Sequence, residues 1–518
     1  MPRRRSARIR RRQPSTRALR FGDRLSPDER ADLLERRSRA CYLTDQTDAS
    51  VESIEEALEC RRELGQALEE SAGLSWMSQV LWCPGRAAES ELMARKAVAV
   101  LESLPLGREL AMAYANLANV CALSAQSAEA LAWSRRALEL AERTGDVEIA
   151  VHALITIGAC EPIGVGCEKL EQSLERAREH GLDEQVARAG LSLVGVAIGN
   201  RRYDLAARHL DAGLDFCSER GLERDRLYFL EQRAQVQLDQ GRWDDAADSA
   251  AEVLRVPRAS VTPRIYALVV LGLVRARRGE SGRWELLDEA TALAEPTGTL
   301  LNVGRVASAR AEAAWLEGNR DGVADATERT LPLAVERGWL MLAGELADWR
   351  RRAGLAVEIP PDIPEPYALE LAGDWSAAAS RWREIGCPYE EALAVLDADE
   401  EKPLRRALET LHGLGARPAA AIVAGRLREM GVRGLPRGPR PATRGNPAGL
   451  TPRQLEVLQL VSEGLRNAEI GERLVLSERT VDHHVQAVLR KLRVRSRAQA
   501  SAQAVRLGLV PTTPRQDR

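Results

Sequence analysis

The sequence predicts an all-α protein: a long helical-repeat solenoid followed by a small four-helix unit. Three observations carry this. From about residue 30 to 430 the chain is rich in Ala, Leu, Glu and Arg and poor in the apolar/polar alternation of strands. Short glycine-bearing turns punctuate that stretch at roughly 40-residue intervals, the signature of a repeat array. After a Pro/Gly-rich break, the last part of the chain carries strong helix-start and helix-stop signals. At 518 residues the chain is too long for a single core.

The net charge of -2 conceals a segregation along the chain. Residues 1–20 hold nine arginines and no acid, and residues 432–518 hold sixteen Lys/Arg against seven Asp/Glu, so an acidic body lies between two basic ends. Basic ends are the electrostatic footprint of polyanion binding. Residues 1–25 read as an Arg-rich disordered tail; an auxiliary non-specific contact to nucleic acid, and a start inside a longer ancestral chain, are the other two readings.

The body, 26–431, is built from helical hairpins. GNRRYDLA at Gly199, GRWDDAA at Gly241, GNRDGVA at Gly318 and GDWSAAA at Gly373 share a design in which several place an aromatic soon after the glycine and a small residue where the next helix starts. Weaker versions at Gly85, Ser124 and Gly282 bring the expectation to eight or nine hairpins. One hairpin cannot bury its apolar face alone, and stacking supplies a continuous core. Alanines such as Ala246 and Ala378 let paired helices approach, while Tyr203, Trp243 and Trp375 wedge between hairpins. The pattern resembles tetratricopeptide repeats with a somewhat longer period. The ten tryptophans read first as packing residues, with a ligand or peptide groove as the alternative. EIPPDIPEP, Glu358 to Pro366, interrupts the array before a final short helical segment. Residues 432–448, with four arginines, no acid and many Pro and Gly, form a linker.

The terminal unit, 449–511, is bounded helix by helix. Thr451, Pro452 and Gln454 form a capping box with proline at the first helical position, and Gly464 ends the helix in the left-handed conformation. Leu455, Leu458 and Val461 share its inner face. A second helix runs from about Asn467 to Leu474 with Ile470 and Leu474 inward. The turn Val475-Leu476 leads to Ser477, the N-cap of a third helix of about 13 residues. At 100° per residue Val481, Val485, Val488, Leu489 and Leu492 fall in one apolar arc, opposite Arg479, His483, Gln486 and Arg490. Thr480 and Asp482 flank that outer face, and His484 lies near the apolar edge. A short helix, a tight turn and a helix offering cationic and amide side chains match a recognition helix entering the major groove of double-stranded DNA. A fourth helix starts with a capping box at Ser496 and Gln499 and runs through Val505 to Gly508, with Pro511 beyond. Its Ala500 and Ala504 are expected to form a close helix pair across a homodimer.

LTPRQLEVLQLVSEG, NAEIGERL, LSERTVDHHVQAVLRKL and VRSRAQA resemble the C-terminal helix-turn-helix of LuxR-type transcriptional regulators, over about 65 residues without a gap. The resemblance implies base-reading roles for Asp482, His483 and Gln486. It implies phosphate contacts for Arg479, Thr480, Arg490, Lys491 and Arg497, and a dimer contact on the last helix. Two positions depart from the family. Arg466 stands where a Ser or Thr often caps the second helix, so that cap is missing or supplied by Asn467. Asp482 stands where some members carry lysine; it can accept from a cytosine amino group or hold Arg479.

The whole chain is similar to the C-terminal half of the large ATP-binding LuxR-type regulators. Their nucleotide-binding module has no counterpart here: only four lysines occur, at 96, 169, 402 and 491, none preceded by glycine, so no phosphate loop of the G-x-x-x-x-G-K type is present. No receiver domain is legible either. No cofactor is expected. The histidines show no metal-ligand spacing, and the eight scattered cysteines lack any C-x-x-C pair, which indicates buried thiols in a reducing cytoplasm. No apolar run reaches membrane-spanning length.

The function expected is a dimeric, sequence-specific DNA-binding regulator of bacterial transcription, with the helical repeats sensing an unidentified effector or protein partner. The alternative is a repeat scaffold whose terminal domain no longer binds DNA specifically. A sigma factor is disfavoured because a second promoter-binding domain is lacking. An enzyme is disfavoured because no nucleophile elbow, metal constellation or phosphate loop occurs.

Overall fold

The structure, a computed structural model, describes residues 25–43, 46–82, 84–256, 260–435, 450–492, 494, 496–507 and 509. The Arg-rich residues 1–20, most of the linker, Gly508 and Pro511 lie outside them. Among the described residues there are helices and turns but no strand. The chain divides into two compact units, one up to Val432 and one from Arg433.

In the first unit the leading helices of successive hairpins begin at Pro27, Ala67, Arg108, Val147, Asp183, Glu223, Val261, Leu300 and Leu340, in steps of 36 to 41 residues. The step agrees with the spacing of the turn signals. The hairpins close tightly because the helices cross at small residues twelve positions apart. Ser38 Oγ meets Ser50 Oγ at 2.9 Å and Ser78 Oγ meets Ser90 Oγ at 3.2 Å, and the fully buried Ala118 and Ala130, and Ala234 and Ala246, repeat that spacing. A larger side chain there would push the pair apart, so the alanine signature marks the crossing itself. Tyr203 and Trp243 are buried as expected, at 2% exposure each, and Trp375 is half-buried.

The array turns back on itself. A Cβ on Gly85, in the second hairpin's turn, would stand 2.6 Å from Thr297 Cγ2 and 3.3 Å from Val261 Cγ1. The Arg224 guanidinium, at the start of the sixth hairpin, lies 5.0 Å from the ring centre of Tyr42 in the first. After the proline run, short helices Tyr367–Leu371, Trp375–Ile385 and Pro388–Ala394 pack on the turns of the middle hairpins, followed by Glu401–Leu414 and Arg417–Glu429. Pro388 and Leu414 lie against Gly241, and Pro418 against Gly279.

One turn differs from expectation. In GNRRY the left-handed residue is Arg201, at φ 57°, and Gly199 ends the preceding helix. A non-glycine residue in that region is uncommon and needs compensation. Here the Arg201 guanidinium supplies it, bonding Glu345 and the Tyr367 hydroxyl at 2.9 Å each from its buried position.

The second unit has four helices: α1 (Pro452–Ser462), α2 (Asn467–Leu474), α3 (Glu478–Lys491) and α4 (Arg497–Arg506). Their bounds follow their capping residues. Thr451 and Gln454 form the reciprocal capping box, and Gly464 takes φ 90°. Ser477 Oγ accepts from the Thr480 amide, and Ser496 Oγ from the Gln499 amide. Each such cap contributes about 1 kcal/mol.

Candidate nucleic-acid interface

Helix α3 is braced from two sides. Val481 and Val485 pack with Val457, Val461 and Ile470 in one small core, while Val488 and Leu492 pack with Leu450, Leu458, Ala500 and Ala504 in another. Leu489 reaches both. Each fully buried side chain of this size contributes about 1.5–3 kcal/mol, so the helix is held rigidly while its outer face stays in water. Arg479, Asp482, His483, Gln486 and Arg490 are all exposed on that face. His484 is half-buried, and burial, with His483 and the Arg453 guanidinium nearby, holds its imidazole below the usual histidine range.

The turn before α3 depends on close backbone approach. The Leu476 amide donates to the Gly471 carbonyl at 2.8 Å, and a Cβ on Gly471 would stand only 2.8 Å from the Leu476 oxygen. Val475 takes the left-handed conformation, φ 55°, with its side chain 90% exposed.

The cap of α2 resolves in favour of the first sequence alternative: the side-chain cap is missing. Arg466 is the N-cap residue, its amide donating to Glu469 Oε2 at 2.6 Å, and a guanidinium has no acceptor with which to return a cap. The Asn467 side chain is used elsewhere: its Oδ1 accepts from Arg497 at 2.7 Å and its Nδ2 donates to Asp482 Oδ1 at 3.4 Å. Asp482 is therefore tied to α2 through Asn467 and not to Arg479. This places the carboxylate as a positioned acceptor at the edge of the outer face.

Three further expected contacts have partners inside the unit. Thr480 Oγ1 lies 2.7 Å from Ser477 Oγ. Lys491 Nζ donates to Gln454 Oε1, the capping-box oxygen of α1, at 2.8 Å. Arg497 Nη1 bonds Asn467, and its Nη2 bonds the Leu465 carbonyl, tying α4 to the α1–α2 turn. A guanidinium has five N–H donors, so Arg497 retains capacity for a phosphate.

Ala500 and Ala504 are a correction. They are 1% and 0% exposed, filling the core beneath α3 in their own protomer, and side chains used there are unavailable to a second copy. The outward positions of α4 are Ala498, Gln499, Ala502, Val505 and Arg506. The small-residue pattern was legible, but alanines recur on both faces of this helix and sequence spacing alone did not choose between them.

Sequence reasoning missed a polar interior in the repeats. Arg201, Arg277, Arg305 and Arg352 line a small cavity with Asp239, Glu312, Glu345, Asp348, Glu370 and Glu390. Arg277 makes a two-pronged pair with Glu312, at 2.7 and 3.0 Å, with both side chains 4% exposed. Burial pushes Glu370 and Glu390 up to about 7 against the pull of Arg352 and Arg277. Arg201 bonds Glu345 144 positions away, and Arg277 lies 113 positions from Glu390, distances over which sequence carries no local signal. Among the described residues no helix is long and apolar enough to cross a membrane.

A helix-turn-helix with a braced, cation-bearing outer helix defines a DNA-binding transcriptional regulator as the class of protein. Residues 448–504 match the luxR family of bacterial regulatory proteins. The transcriptional regulatory protein LiaR of Bacillus subtilis is 33% identical over 190 residues, covering 32% of this chain and 85% of that protein. DegU of Brevibacillus brevis is 46% identical over 61 residues, 12% of this chain and 26% of its own length. The transcriptional activator SolR of Ralstonia nicotianae is 46% identical over 63 residues, 12% of this chain and 27% of that protein. The chain thus spans about a quarter of the length of the latter two. It belongs to the luxR family of bacterial regulators. Among solved structures, a Rap protein complexed with competence and sporulation factor is similar at TM-score 0.41 and 16% identity, covering 62% of this chain and 79% of that one.

Proposed function

We propose that this protein is a cytoplasmic, sequence-specific regulator of transcription that binds double-stranded DNA as a homodimer, with its repeats taking up an effector or partner protein. The observation that supports it most is α3 itself: a helix pinned in two cores that leaves Arg479, Asp482, His483, Gln486 and Arg490 together in solvent. In this reading His483, Gln486 and Asp482 meet base edges in the major groove, Asp482 as an acceptor for a cytosine amino group. Arg479, Thr480, Arg490, Lys491 and Arg497 contact phosphates and set the register. The homodimer contact is carried by the outward residues of α4, Ala498, Ala502 and Val505.

Selection of genomic fragments with the purified full-length protein tests this. A roughly two-fold symmetric motif, bound far more tightly than scrambled DNA across a salt series, is the expected result. Weak, steeply salt-dependent binding with no enriched motif contradicts it and favours the scaffold reading, in which Asp482 on the outer face opposes phosphate.

A further inference from the structure

Arg188, in the repeats, has its guanidinium enclosed by protein and forms no ion pair with a carboxylate among the described residues. Arg188 lies on the helix Asp183–Gly199, the leading helix of the fifth hairpin. Its Nη2 donates to Asn119 Oδ1 at 2.8 Å and to Thr156 Oγ1 at 2.9 Å, so it sits where the leading helices of the third, fourth and fifth hairpins meet. Its Nη1 is fully covered and has no hydrogen-bond partner. One turn before Thr156, His152 is 6% exposed, and its Nε2 is likewise covered and unpartnered.

Four arginines of the polar cavity differ in one respect. Arg201, Arg277 and Arg352 form ion pairs with carboxylates, and Arg305 faces Glu345 and Asp239. Among the described residues no carboxylate forms an ion pair with Arg188. Burial alone pulls its guanidinium down to about 9, with no acidic group opposing the shift. Burial and the Arg188 charge keep His152 well below the usual histidine range, so it is neutral. Charges inside proteins are paired, because an unpaired one is costly to desolvate. A bound water would satisfy the Nη1 hydrogens but leave the charge uncompensated.

We infer that Arg188, with His152, Asn119 and Thr156 beside it, is the binding site for a single carboxylate group of the effector. The inference rests on the reading that the repeats take up an effector, and it names that effector's anchoring group. The class follows from charge: one guanidinium and one neutral imidazole match a monoanion, whereas a phosphate dianion would bring a second, uncompensated buried charge. Asn119 and Thr156 fix the guanidinium plane, leaving Nη1 and, in one tautomer, the imidazole N–H as donors.

The test uses full-length protein and the substitution Arg188→Met, which keeps the aliphatic stem and removes the charge. Thr156 Oγ1 still donates to the His152 carbonyl, at 3.3 Å, and the half-buried Asn119 can turn to water, so the substitution strands little. Thermal midpoints are measured in sodium acetate, sodium phosphate and sodium chloride at equal ionic strength. A tetra-alanine peptide with a free C-terminal carboxylate is compared with its C-terminal amide.

Two results are required. Without ligand, R188M melts above the wild type. Acetate raises the wild-type midpoint more than chloride or phosphate does, while R188M responds at least tenfold more weakly in apparent affinity. A larger response to the free-acid peptide than to acetate, abolished in the amide, identifies a peptide terminus; the reverse identifies a small acid. An R188M midpoint at or below wild type, an equal acetate response in both proteins, or no acetate response in either overturns the proposal. Arg188→Lys, which keeps the charge, serves as a folded control expected to retain the acetate response in weakened form. Binding to the selected DNA is measured on the same samples, so failure of the carboxylate site with DNA binding intact is distinguishable from failure of the regulator reading.

Discussion

Replacing Arg277 by methionine isolates the buried charge cluster of the repeats. The guanidinium holds Glu312 by two bonds, stands 3.4 Å from Glu390 Oε1, and lies 4.2 Å over the centre of the Tyr389 ring. Methionine keeps the stem but leaves two buried carboxyls without a cation. Removing one partner of a buried pair costs about 3–5 kcal/mol, most of it the stranded opposite charge. Glu390 can shed its charge, since burial already pushes it up to about 7, whereas Glu312, 3% exposed, loses both of its guanidinium bonds. The double variant Arg277→Met/Glu312→Gln is therefore expected to recover about 2 kcal/mol of the single loss, because the stranded charge is gone. Stability in repeat arrays is local, so the suitable assay is hydrogen exchange across Val261–Leu316, with Arg108–Thr144 as an internal reference. A single-variant loss below about 1 kcal/mol, or a double variant worse than the sum of its singles, would refute this reasoning.

Other consequences are equally specific. Gly471→Ala drives a Cβ against the Leu476 carbonyl, and is expected to cost about 1–3 kcal/mol and weaken DNA binding; an unchanged melting midpoint of the terminal unit would refute the close-approach argument. Val475→Gly relieves a β-branched residue at φ 55° and is expected to stabilise that unit by about 1 kcal/mol, read from its urea midpoint, with a loss of stability as the contrary result. Glu231, 5% exposed, is pushed up to about 8 by burial against the pull of Arg305. Because the folded state holds this proton more tightly, its contribution is full below about pH 4.5 and is lost as pH rises through about 8. Glu231→Gln should remove about 2–3 kcal/mol of the wild-type decline between pH 6 and 8, and identical pH slopes would place the group elsewhere.

The terminal unit was legible because its signals are local. Thr451, Gly464, Ser477 and Ser496 act within three residues of themselves, and the valine arc of α3 follows from 100° per residue. The partners of Asn467 and Asp482 were not, since Asn467 serves both Arg497, thirty positions away, and Asp482, fifteen away. The repeat period was legible for a similar reason: each turn and each small-residue crossing recurs within one hairpin. What escaped was the chemistry between hairpins. Arg188, Arg201 and Arg277 look alike in sequence, and only the assembled array shows that two of them have carboxylate partners and one has none.

The central claim is that the outer face of α3 reads DNA sequence. The most direct measurement is the affinity of His483→Ala/Gln486→Ala for the selected site and for scrambled DNA over a salt series, beside the wild type. The account predicts that specificity falls by about 1–3 kcal/mol for each of the two side chains truncated, while the salt dependence set by Arg479, Arg490 and Lys491 persists. An unchanged specificity ratio would contradict it and move the reading surface away from α3.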